Sequence, residues 1–364
     1  MKNRLNLSSF RVLNFKAVQD SKAIKFTPLT AFIGNNGSGK SSIIEALETF
    51  QTLALHGIDA AMQPWHGFEY IWNRSDRHRR AADAPITFRV YGTGSSNTFK
   101  VRLKLTASAD FGKSEFSEYS YCTGGKFADG RNDFVKDGEI RHNALKAFAE
   151  NWQFLTLVPH FMTEPVFQKR TYGKIRLDKT GMNIAEYLQS VRDKDIDAFN
   201  GIIETLKVIL PYAVDLQPAI TSELERKVYL NLSEKNISVK LPGWLLSSGT
   251  LRVICLLAVL RHPEPPSVVI IEEIENGLDP QTVHLIIEEL RYFVESGKGQ
   301  IILTTHSPFL LDLLSLDHVI VTERDDSGSP QFTRPGSEEE LKEWAKRFSP
   351  GMLYTMGKLT RSLS

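Results

Sequence analysis

Residues 29–42 read LTAFIGNNGSGKSS, and the interpretation of the whole chain starts from them. An apolar run typical of a buried strand leads into the motif G-x-x-x-x-G-K-[ST], which places Gly34, Gly39, Lys40 and Ser41 at its fixed positions. Residues 43–55 continue with apolar side chains at helical spacing. Strand, glycine-rich loop and helix in this order predict a phosphate-binding loop, because glycines let backbone N–H groups surround phosphates at a helix start.

This loop, residues 34–42, is predicted to bind ATP together with Mg²⁺. Lys40 is expected to pair with the β- and γ-phosphates, and the Ser41 hydroxyl to bind the metal. The candidate nucleotide-binding residues of the loop are Gly34, Asn35, Asn36, Gly37, Ser38, Gly39, Lys40, Ser41 and Ser42.

Two carboxylates follow a second apolar run, in SVVIIEEIENGLDP at 267–280. Ligands of parallel α/β sheets bind at the carboxyl ends of the strands, which is where Glu272 and Glu273 are predicted to lie. Glu272 is interpreted as a magnesium ligand and Glu273 as the general base that polarises the attacking water. The alternative is a solvated strand end, and the phosphate-binding loop in the same chain argues against it.

A third predicted strand ends on a histidine, in IILTTHSPFLLDLL at 301–314. His306 is a candidate catalytic residue, because at this sheet edge it could hydrogen-bond a γ-phosphate or the attacking water. Most single histidines are structural, and this chain has nine of them.

A turn of small residues, LSSGT at 246–250, precedes the apolar helical pattern LRVICLLAVLR. Small side chains let a phosphate approach a helix N-terminus closely. Since the loop at 34–42 is expected to hold the nucleotide of its own subunit, this turn is predicted to contact ATP bound to a second copy. The sequence therefore predicts a homodimer that sandwiches ATP.

The order of these motifs resembles that of ABC-type ATPases, in the branch that holds RecF, SMC proteins and the ATPase domains of OLD nucleases. Walker A lies at 34–41, the signature at 246–250, Walker B at 268–273, the D-loop NGLDP at 276–280, and the switch histidine at His306. The resemblance implies that Ser247, Ser248, Gly249 and Asp279 also contact nucleotide. It covers most of the chain and is closest to compact bacterial AAA-family ATPases with an LSDGTLR-type signature. Relatives of that group often act in bacterial defence beside an effector protein, which implies a separate effector here.

The chain departs from the family pattern at three points. The magnesium carboxylate is Glu272 where the family usually has aspartate, and the second small residue of the signature is Ser248 instead of glycine. The glutamine that links the two lobes of such ATPases is not identified by its context. Gln51, Gln63 and Gln153 are all candidates.

The predicted fold class is α/β, with a mostly parallel core sheet, an antiparallel β arm and an inserted helical lobe. The antiparallel region is predicted from the two-residue apolar period between residues 86 and 121. Four segments are expected: 1–140 with Walker A and the β arm, 141–227 as the helical lobe, 228–336 with the remaining motifs, and 337–364 as a C-terminal helical extension.

Net charge, cysteine content and the lengths of apolar segments restrict the predicted partners and location. The 364 residues carry a net charge of +1, so any nucleic-acid contact must come from a local patch. Two distant cysteines favour a reducing compartment, and with no signal-peptide pattern or membrane-length apolar segment the predicted location is cytoplasmic, without a membrane partner.

The second functional hypothesis is an ATP-gated DNA clamp of the RecF type. Its candidate contact is the basic run NRSDRHRR at 73–80, although such runs are more often solvated loops. A small-molecule kinase would leave LSSGT and NGLDP without a role, and no clear arginine finger or sensor asparagine supports an AAA+ motor.

Overall fold

The computed structural model describes residues 5–74, 80–94, 98–123, 126–128, 135–168, 174–222, 224–337, 339–345 and 347–359. The strands are β1 (Asn6–Phe15), β2 (Val18–Asp20), β3 (Ile24–Lys25), β4 (Leu29–Ile33), β5 (Ile86–Thr93), β6 (Thr98–Ala107), β7 (Ser114–Thr123), β8 (Lys126–Ala128), β9 (Val135–Lys136), β10 (Glu139–Ile140), β11 (Trp152–Leu155), β12 (Val166–Phe167), β13 (Ala213–Ile220), β14 (Lys227–Glu234), β15 (Leu241–Pro242), β16 (Val268–Ile271), β17 (Gln300–Thr305), β18 (Val319–Arg324) and β19 (Pro330–Thr333).

The helices are α1 (Lys40–Met62), α2 (Phe68–Ile71), α3 (Asn143–Glu150), α4 (Pro159–Met162), α5 (Ile184–Lys194), α6 (Ile196–Ile209), α7 (Ser248–Leu260), α8 (Pro280–Glu295), α9 (Pro308–Asp312), α10 (Glu339–Ala345) and α11 (Pro350–Thr355). The predicted α/β class is confirmed. Among the described residues, no helix combines the length and apolarity needed to cross a bilayer.

Contacts divide the chain into two units, Met1–Trp152 with Gln300–Ser364, and Gln153–Gly299. We call them the P-loop unit and the signature unit, after the motifs they carry. The four segments expected from the sequence follow chain order and stay a prediction. The stretch 141–227 contains helices α3 to α6, as expected of a helical lobe, but it also contains the strands β11, β12 and β13 and the first residue of β14.

The P-loop unit contains strands β17, β4 and β18 in that order, paired in parallel, with β19 antiparallel to β18 at one edge. Every residue of β4 and β17 is buried. Strands covered on both faces read as continuous apolar runs, which is why the sequence predicted them correctly.

The antiparallel β arm belongs to the same unit and has the strand order β2-β1-β5-β6-β7-β8. One of its faces is apolar, and α1 packs on it through Phe50, whose ring lies 6.5 Å from Phe10 and 6.2 Å from Phe88 between centroids. The opposite face carries the polar residues of the two-residue period, including arginines on β1, β5 and β6.

The signature unit contains β11 beside β16, and an antiparallel sheet ordered β12-β14-β13 with β15 paired to β14. Its helix α7 is buried from Leu251 to Leu260 except for Arg252. Because so much of α7 is buried, its exposed N-terminal turn is held in a fixed position.

Candidate functional site

The P-loop begins directly after β4, and two of its glycines are required by close packing. A Cβ atom on Gly34 would lie 2.1 Å from the backbone oxygen of Thr322, and one on Gly39 would lie 2.6 Å from Cγ of Pro330. Gly39 also has φ 115°, a left-handed value that favours glycine. Any side chain at these two positions would displace the loop from β18 and β19.

Lys40 begins α1 and is buried, with 6% of its surface exposed. Its ammonium donates to the backbone oxygens of Gly34, at 2.6 Å, and Asn35, at 3.1 Å. The charge is thereby held inside the curve of the loop, at the helix N-terminus where the peptide dipoles favour an anion. Asn35, Asn36, Gly37 and Ser41 are exposed, and Ser42 is half-buried.

His306 lies next to the P-loop in the P-loop unit. Thr305, the last residue of β17, pairs with Ile33, the last residue of β4. His306 and Gly34 are therefore the first residues beyond adjacent parallel strands, and both lie at the carboxyl edge of the sheet. His306 is half-buried, and the α9 cap that follows is fixed by a bond from the Ser307 amide to Oγ1 of Thr305, at 3.0 Å.

The Walker B carboxylates lie in the signature unit, directly after β16. Glu272 is half-buried, and its Oε1 accepts a hydrogen bond from Oγ1 of Thr156 at 2.9 Å. The backbone N–H of Glu272 donates to the oxygen of Leu155 at 2.9 Å, so β11 fixes its position.

Glu273 is exposed and has φ 47°. A left-handed backbone at a residue other than glycine costs about 1–3 kcal/mol and persists where surrounding structure enforces it. Here the enforcing contacts are the tight turn from the Asn276 amide to the Glu273 oxygen, at 3.0 Å, and a hydrogen bond from Nδ2 of Asn276 to Oε2 of Glu273. The hydrogen bond from Asn276 orients the Glu273 carboxylate.

The signature turn caps α7. Oγ of Ser247 accepts from the amide of Thr250 at 3.1 Å and lies 2.8 Å from the Thr250 hydroxyl, which also bonds the hydroxyl of Tyr212 at 2.8 Å. Thr250 is buried in this network, whereas Ser247 and Ser248 are exposed.

The D-loop packs against this turn. A Cβ atom on Gly249 would lie 2.7 Å from the backbone oxygen of Gly277. Asp279 caps α8, because its two oxygens accept from the amide of Thr282, at 3.0 Å, and from the Thr282 hydroxyl, at 2.6 Å. These hydrogen bonds lower the pKa of Asp279, so it stays ionised at the helix N-terminus.

Two family profiles match the sequence. Residues 6–79 match one described as "AAA ATPase domain", and residues 167–312 match one described as "AAA domain, putative AbiEii toxin, Type IV TA system". A comparison with curated proteins finds no match.

Solved structures of SMC heads share the fold. A head domain bound to the C-terminal winged-helix domain of ScpA has a TM-score of 0.58 at 14% identity, covering 90% of this chain and 97% of that one. A Pyrococcus furiosus head bound to the C-terminal domain of ScpA gives 0.56 at 13% identity, covering 94% and 100%. A Pyrococcus yayanosii head with coiled coil and joint gives 0.53 at 10% identity, with the same coverage.

The two ATPase-domain profiles and the shared SMC-head fold support the predicted resemblance to ABC-type ATPases of the RecF/SMC-like branch. The three glutamines considered from the sequence, Gln51, Gln63 and Gln153, have different surroundings. The amide nitrogen of Gln51 donates to the backbone oxygens of Ala149 and Trp152, at 2.8 and 3.0 Å.

The amide nitrogen of Gln153 donates to the backbone oxygens of Phe154 and Leu177, at 2.9 and 3.0 Å. Gln63 is exposed in a short 3₁₀ turn. The side-chain amides of Gln51 and Gln153 therefore stabilise backbone segments within their own units.

Sequence reasoning missed two residues of the signature unit. Thr156 follows β11 and bonds Glu272, and the only signal for it was a polar residue after a short apolar run. Arg252 lies one turn beyond the signature, where burial lowers its pKa against the opposing charges of Glu273 and Glu275. Its spacing of four residues from Ser248 places both on one face of α7, which a helical projection could have revealed.

Sequence reasoning also missed Arg324 and Tyr354 beside the P-loop. Nε of Arg324 donates to the oxygen of Gly37 at 2.7 Å, and the Tyr354 hydroxyl donates to Oδ1 of Asn35 at 3.3 Å. Of the basic run at 73–80, residues 75–79 lie outside the described residues. Arg74 lies 5.5 Å from the ring centroid of Phe111.

Proposed function

We propose that this ABC-type ATPase binds ATP and Mg²⁺ between two copies of the chain and hydrolyses the ATP to switch a separate effector protein in the cytoplasm. The observation that carries the ATPase proposal is the pairing of β17 with β4, which brings His306 beside the P-loop. A histidine at that position can hydrogen-bond the γ-phosphate or the attacking water.

The surroundings of the P-loop fit a nucleotide. Gly34 and Gly39 leave no room for side chains, so backbone N–H groups line the loop, and Lys40 adds a positive charge within it. The hydroxyl of Ser38 is buried and has no hydrogen-bond partner among the described residues. Polar groups of this kind favour a polar ligand, because buried hydroxyls are ordinarily hydrogen-bonded.

For magnesium, the proposed ligands are the Ser41 hydroxyl and the Glu272 carboxylate. Mg²⁺ prefers oxygen ligands, and the bond from Thr156 orients one oxygen of Glu272. The ion would neutralise charge on the phosphate oxygens. Glutamate is one methylene longer than the usual aspartate, which accommodates a water between carboxylate and metal.

Glu273 is the proposed general base. Its carboxylate is exposed and accepts a hydrogen bond from the side-chain amide of Asn276, so it is open to solvent and oriented to accept a proton from an attacking water. The left-handed backbone at Glu273 is the kind of strain that clusters at functional sites.

The dimer proposal rests on the exposed face of the signature turn. Ser247 and Ser248 are exposed at the N-terminus of α7, where an anion would be favoured. Trp244 and Leu245, directly before the turn, are 51% and 63% exposed. Large exposed apolar residues beside a polar site are typical of an interface, and we propose that a second copy covers them when its ATP reaches Ser247, Ser248 and Gly249.

The effector proposal is supported by the second family profile, whose description refers to the AbiEii toxin of a type IV toxin–antitoxin system. A chain with a toxin-like ATPase profile fits a role in bacterial defence against phage, in which ATP-driven dimer opening and closing gates a partner. Binding of both nucleotides between subunits couples nucleotide affinity to dimerisation.

Paired variants test the sandwich. Glu273→Gln should lower turnover by at least about 100-fold and accumulate an ATP-bound dimer in size-exclusion chromatography with light scattering. Lys40→Ala should remain monomeric with ATP. Glu288→Gln, an exposed glutamate on α8, is the matched control and should behave as the wild type. Monomers for both Glu273→Gln and Lys40→Ala would reject the sandwich.

The second candidate function, a DNA clamp, is favoured by a row of arginines on the polar face of the β arm. Arg11, Arg89 and Arg102 are opposite one another on adjacent strands, where like charges destabilise a sheet. Arg11 pairs with Asp20, and Arg102 with Glu118. Arg89 has no ion pair within the described part of the chain, and burial together with Arg102 and Arg11 lowers its pKa.

The same face has a cavity of about 540 Å³ lined by these arginines and by Tyr91 and Lys100. A cationic row of this kind, in which Arg89 has no ion pair among the described residues, suits the phosphates of nucleic acid. This row lies outside the basic run at 73–80 that the sequence suggested for DNA contact.

Salt-dependent binding of a short DNA duplex tests the clamp. Replacing Arg89 and Lys100 by alanine should weaken binding and make the salt dependence shallower by about 0.9 per lost phosphate contact. Arg74→Ala is the matched control from the basic run. Weakening by Arg74→Ala alone would move the contact to residues 73–80, and absence of salt-sensitive binding by the wild type would reject the clamp.

A further inference from the structure

Three hydroxyls are linked in series at the start of α7, all within the signature unit. The hydroxyl of Tyr212 lies 2.8 Å from Oγ1 of Thr250, which lies 2.8 Å from Oγ of Ser247. Thr250 is 4% exposed, whereas Ser247 is exposed at the helix N-terminus. This series, which we call the hydroxyl relay, therefore runs from a residue outside the sequence motifs, through a buried side chain, to the signature serine.

Tyr212 is held in place by the short connection between α6 and β13. The oxygen of Tyr212 accepts from the amide of Lys235 at 2.8 Å. The amide of Ala213 donates to the oxygen of Leu210 at 2.9 Å and closes a tight turn. Leu206 and Leu210 are buried at the end of α6, and α6 packs on α7. The tyrosine is thus presented to the first turn of α7 from 38 residues away along the sequence.

The number of donors and acceptors in the relay limits what Ser247 can do. A hydroxyl donates one hydrogen bond and accepts up to two. Oγ of Ser247 already accepts from the amide of Thr250 at 3.1 Å. When the Thr250 hydroxyl also donates to Ser247, both acceptor positions of that oxygen are filled from the helix turn. The hydrogen of the exposed Ser247 hydroxyl is then left to point outward.

Tyr212 favours this direction of the relay. A phenolic hydroxyl is more acidic than an aliphatic one, so it is the better donor and the poorer acceptor. Within the described residues, the partners of Oγ1 of Thr250 are Tyr212 and Ser247, so a bond donated by Tyr212 directs the Thr250 hydrogen toward Ser247. Hydrogen bonds in series polarise one another, which strengthens the outward donor.

We propose that Tyr212 is a positioning residue for the signature turn, which orders the hydroxyl relay so that Ser247 donates to a phosphate oxygen of the nucleotide on the facing copy. The inference rests on the proposed ATP sandwich and adds to it a residue that acts through Thr250 and Ser247 without itself contacting the nucleotide. In the opposite direction, Ser247 would donate inward to Thr250 and present only lone pairs to the phosphate.

Dimerisation in the Glu273→Gln background tests the inference, because that change is expected to keep ATP intact between the two copies. Adding Tyr212→Phe keeps the ring and removes only the phenolic donor. The dimer dissociation constant of the full chain with ATP and Mg²⁺, from sedimentation equilibrium, should rise by about 3- to 10-fold, the effect of losing one hydrogen bond.

Amide hydrogen exchange separates positioning of the hydroxyl from support of the fold. The cap bond from the Thr250 amide to Ser247 does not involve Tyr212. Exchange in the first turn of α7 should therefore be the same in Tyr212→Phe as in the wild type. Faster exchange in step with weaker dimerisation would make Tyr212 a structural support of α7 and overturn the inference.

Variants of Thr250 test the middle of the relay. Thr250→Val is close in shape to threonine, removes the hydroxyl and keeps the amide that bonds Ser247. It should weaken dimerisation as much as Tyr212→Phe does, and the two changes together should be no worse than either alone, because both interrupt the same relay. Thr250→Ser keeps a hydroxyl and should dimerise as the Glu273→Gln background does. Additive losses would overturn the relay.

The controls distinguish failure of this inference from failure of the ATP sandwich. Tyr292→Phe changes a tyrosine of α8 in the same unit that is 48% exposed, and it should leave dimerisation unchanged. If Glu273→Gln alone stays monomeric with ATP, the sandwich itself fails. If it dimerises and Tyr212→Phe leaves the dissociation constant unchanged, the role of Tyr212 is rejected and the sandwich stands.

Discussion

The P-loop and the signature turn are both glycine-containing starts of helices, but they differ in their surroundings. In the P-loop, the spaces at Gly34 and Gly39 are closed by Thr322 and Pro330 of the same unit, and Lys40 is buried. At the signature, Gly249 alone is closed, by Gly277, and the serines before it are exposed. Backbone N–H groups at a helix N-terminus are thus enclosed by their own unit in the P-loop and exposed in the signature turn.

The largest effect on ATP binding is expected from adding a side chain at Gly34 of the P-loop. Gly34→Ala places a methyl group 2.1 Å from the Thr322 oxygen, so β18 or the loop must move. Such overpacking typically costs about 1–3 kcal/mol, and we expect loss of measurable ATP binding in calorimetry.

Gly37→Ala is the control for that experiment, since a Cβ there has no neighbour within 4 Å and the residue has φ +74°. It should cost only the left-handed backbone strain, about 1–2 kcal/mol, and retain ATP binding. If Gly34→Ala and Gly37→Ala lost ATP binding to the same extent, close packing at Gly34 would not explain the loss.

A smaller effect, confined to dimerisation and turnover, is expected from placing a bulky side chain in the exposed signature turn. Ser248→Arg puts a long cation on an exposed position, so the fold and the ATP affinity of the monomer should be preserved. Dimerisation with ATP should be lost and turnover lowered by about 10-fold or more, since the serine of the signature can no longer approach a phosphate. Light scattering and steady-state turnover measure both.

Ser222→Arg, an exposed turn residue of the same unit, controls for the added charge. If Ser248→Arg dimerises with ATP as well as the wild type does, the signature turn does not face a second copy.

The smallest effect concerns the cap of α7. Ser247→Ala removes the acceptor for the Thr250 amide, which costs about 0.5–2 kcal/mol for a helix N-cap. Faster amide hydrogen exchange in the first turn of α7 is the measurement.

Ser247→Asp separates helix capping from phosphate contact, because aspartate also caps helices and should restore slow exchange. Its negative charge should nevertheless prevent dimerisation with ATP by repelling a phosphate. Recovery of both exchange and dimerisation would show that Ser247 acts only as a cap.

Several elements were predictable because their signals are local. Continuous apolar runs predicted β4, β16 and β17, and the two-residue period predicted the antiparallel pairing of β5, β6 and β7. Helical spacing predicted α5 and α6.

The missed contacts join residues far apart in the chain. Thr156 and Glu272 are separated by 116 residues, and Asn35 and Tyr354 by 319. No periodicity or motif spacing encodes such a pair, because it depends on which strands and helices become neighbours. The φ of Glu273 was equally unreadable, since nothing in the run EEIENG requires a left-handed glutamate.

The sequence by itself determined the kinds of chemistry: a phosphate loop, two carboxylates after a buried strand, a histidine after another, and a small-residue turn that opens a helix. Each follows from residue types within a few positions of one another, where backbone geometry is short-range. Tertiary structure alone decided that Thr322 and Pro330 close the P-loop, that Arg252 is half-buried on α7, and that α11 brings Tyr354 to the loop. Those arrangements arise from packing between distant segments, which local patterns do not specify.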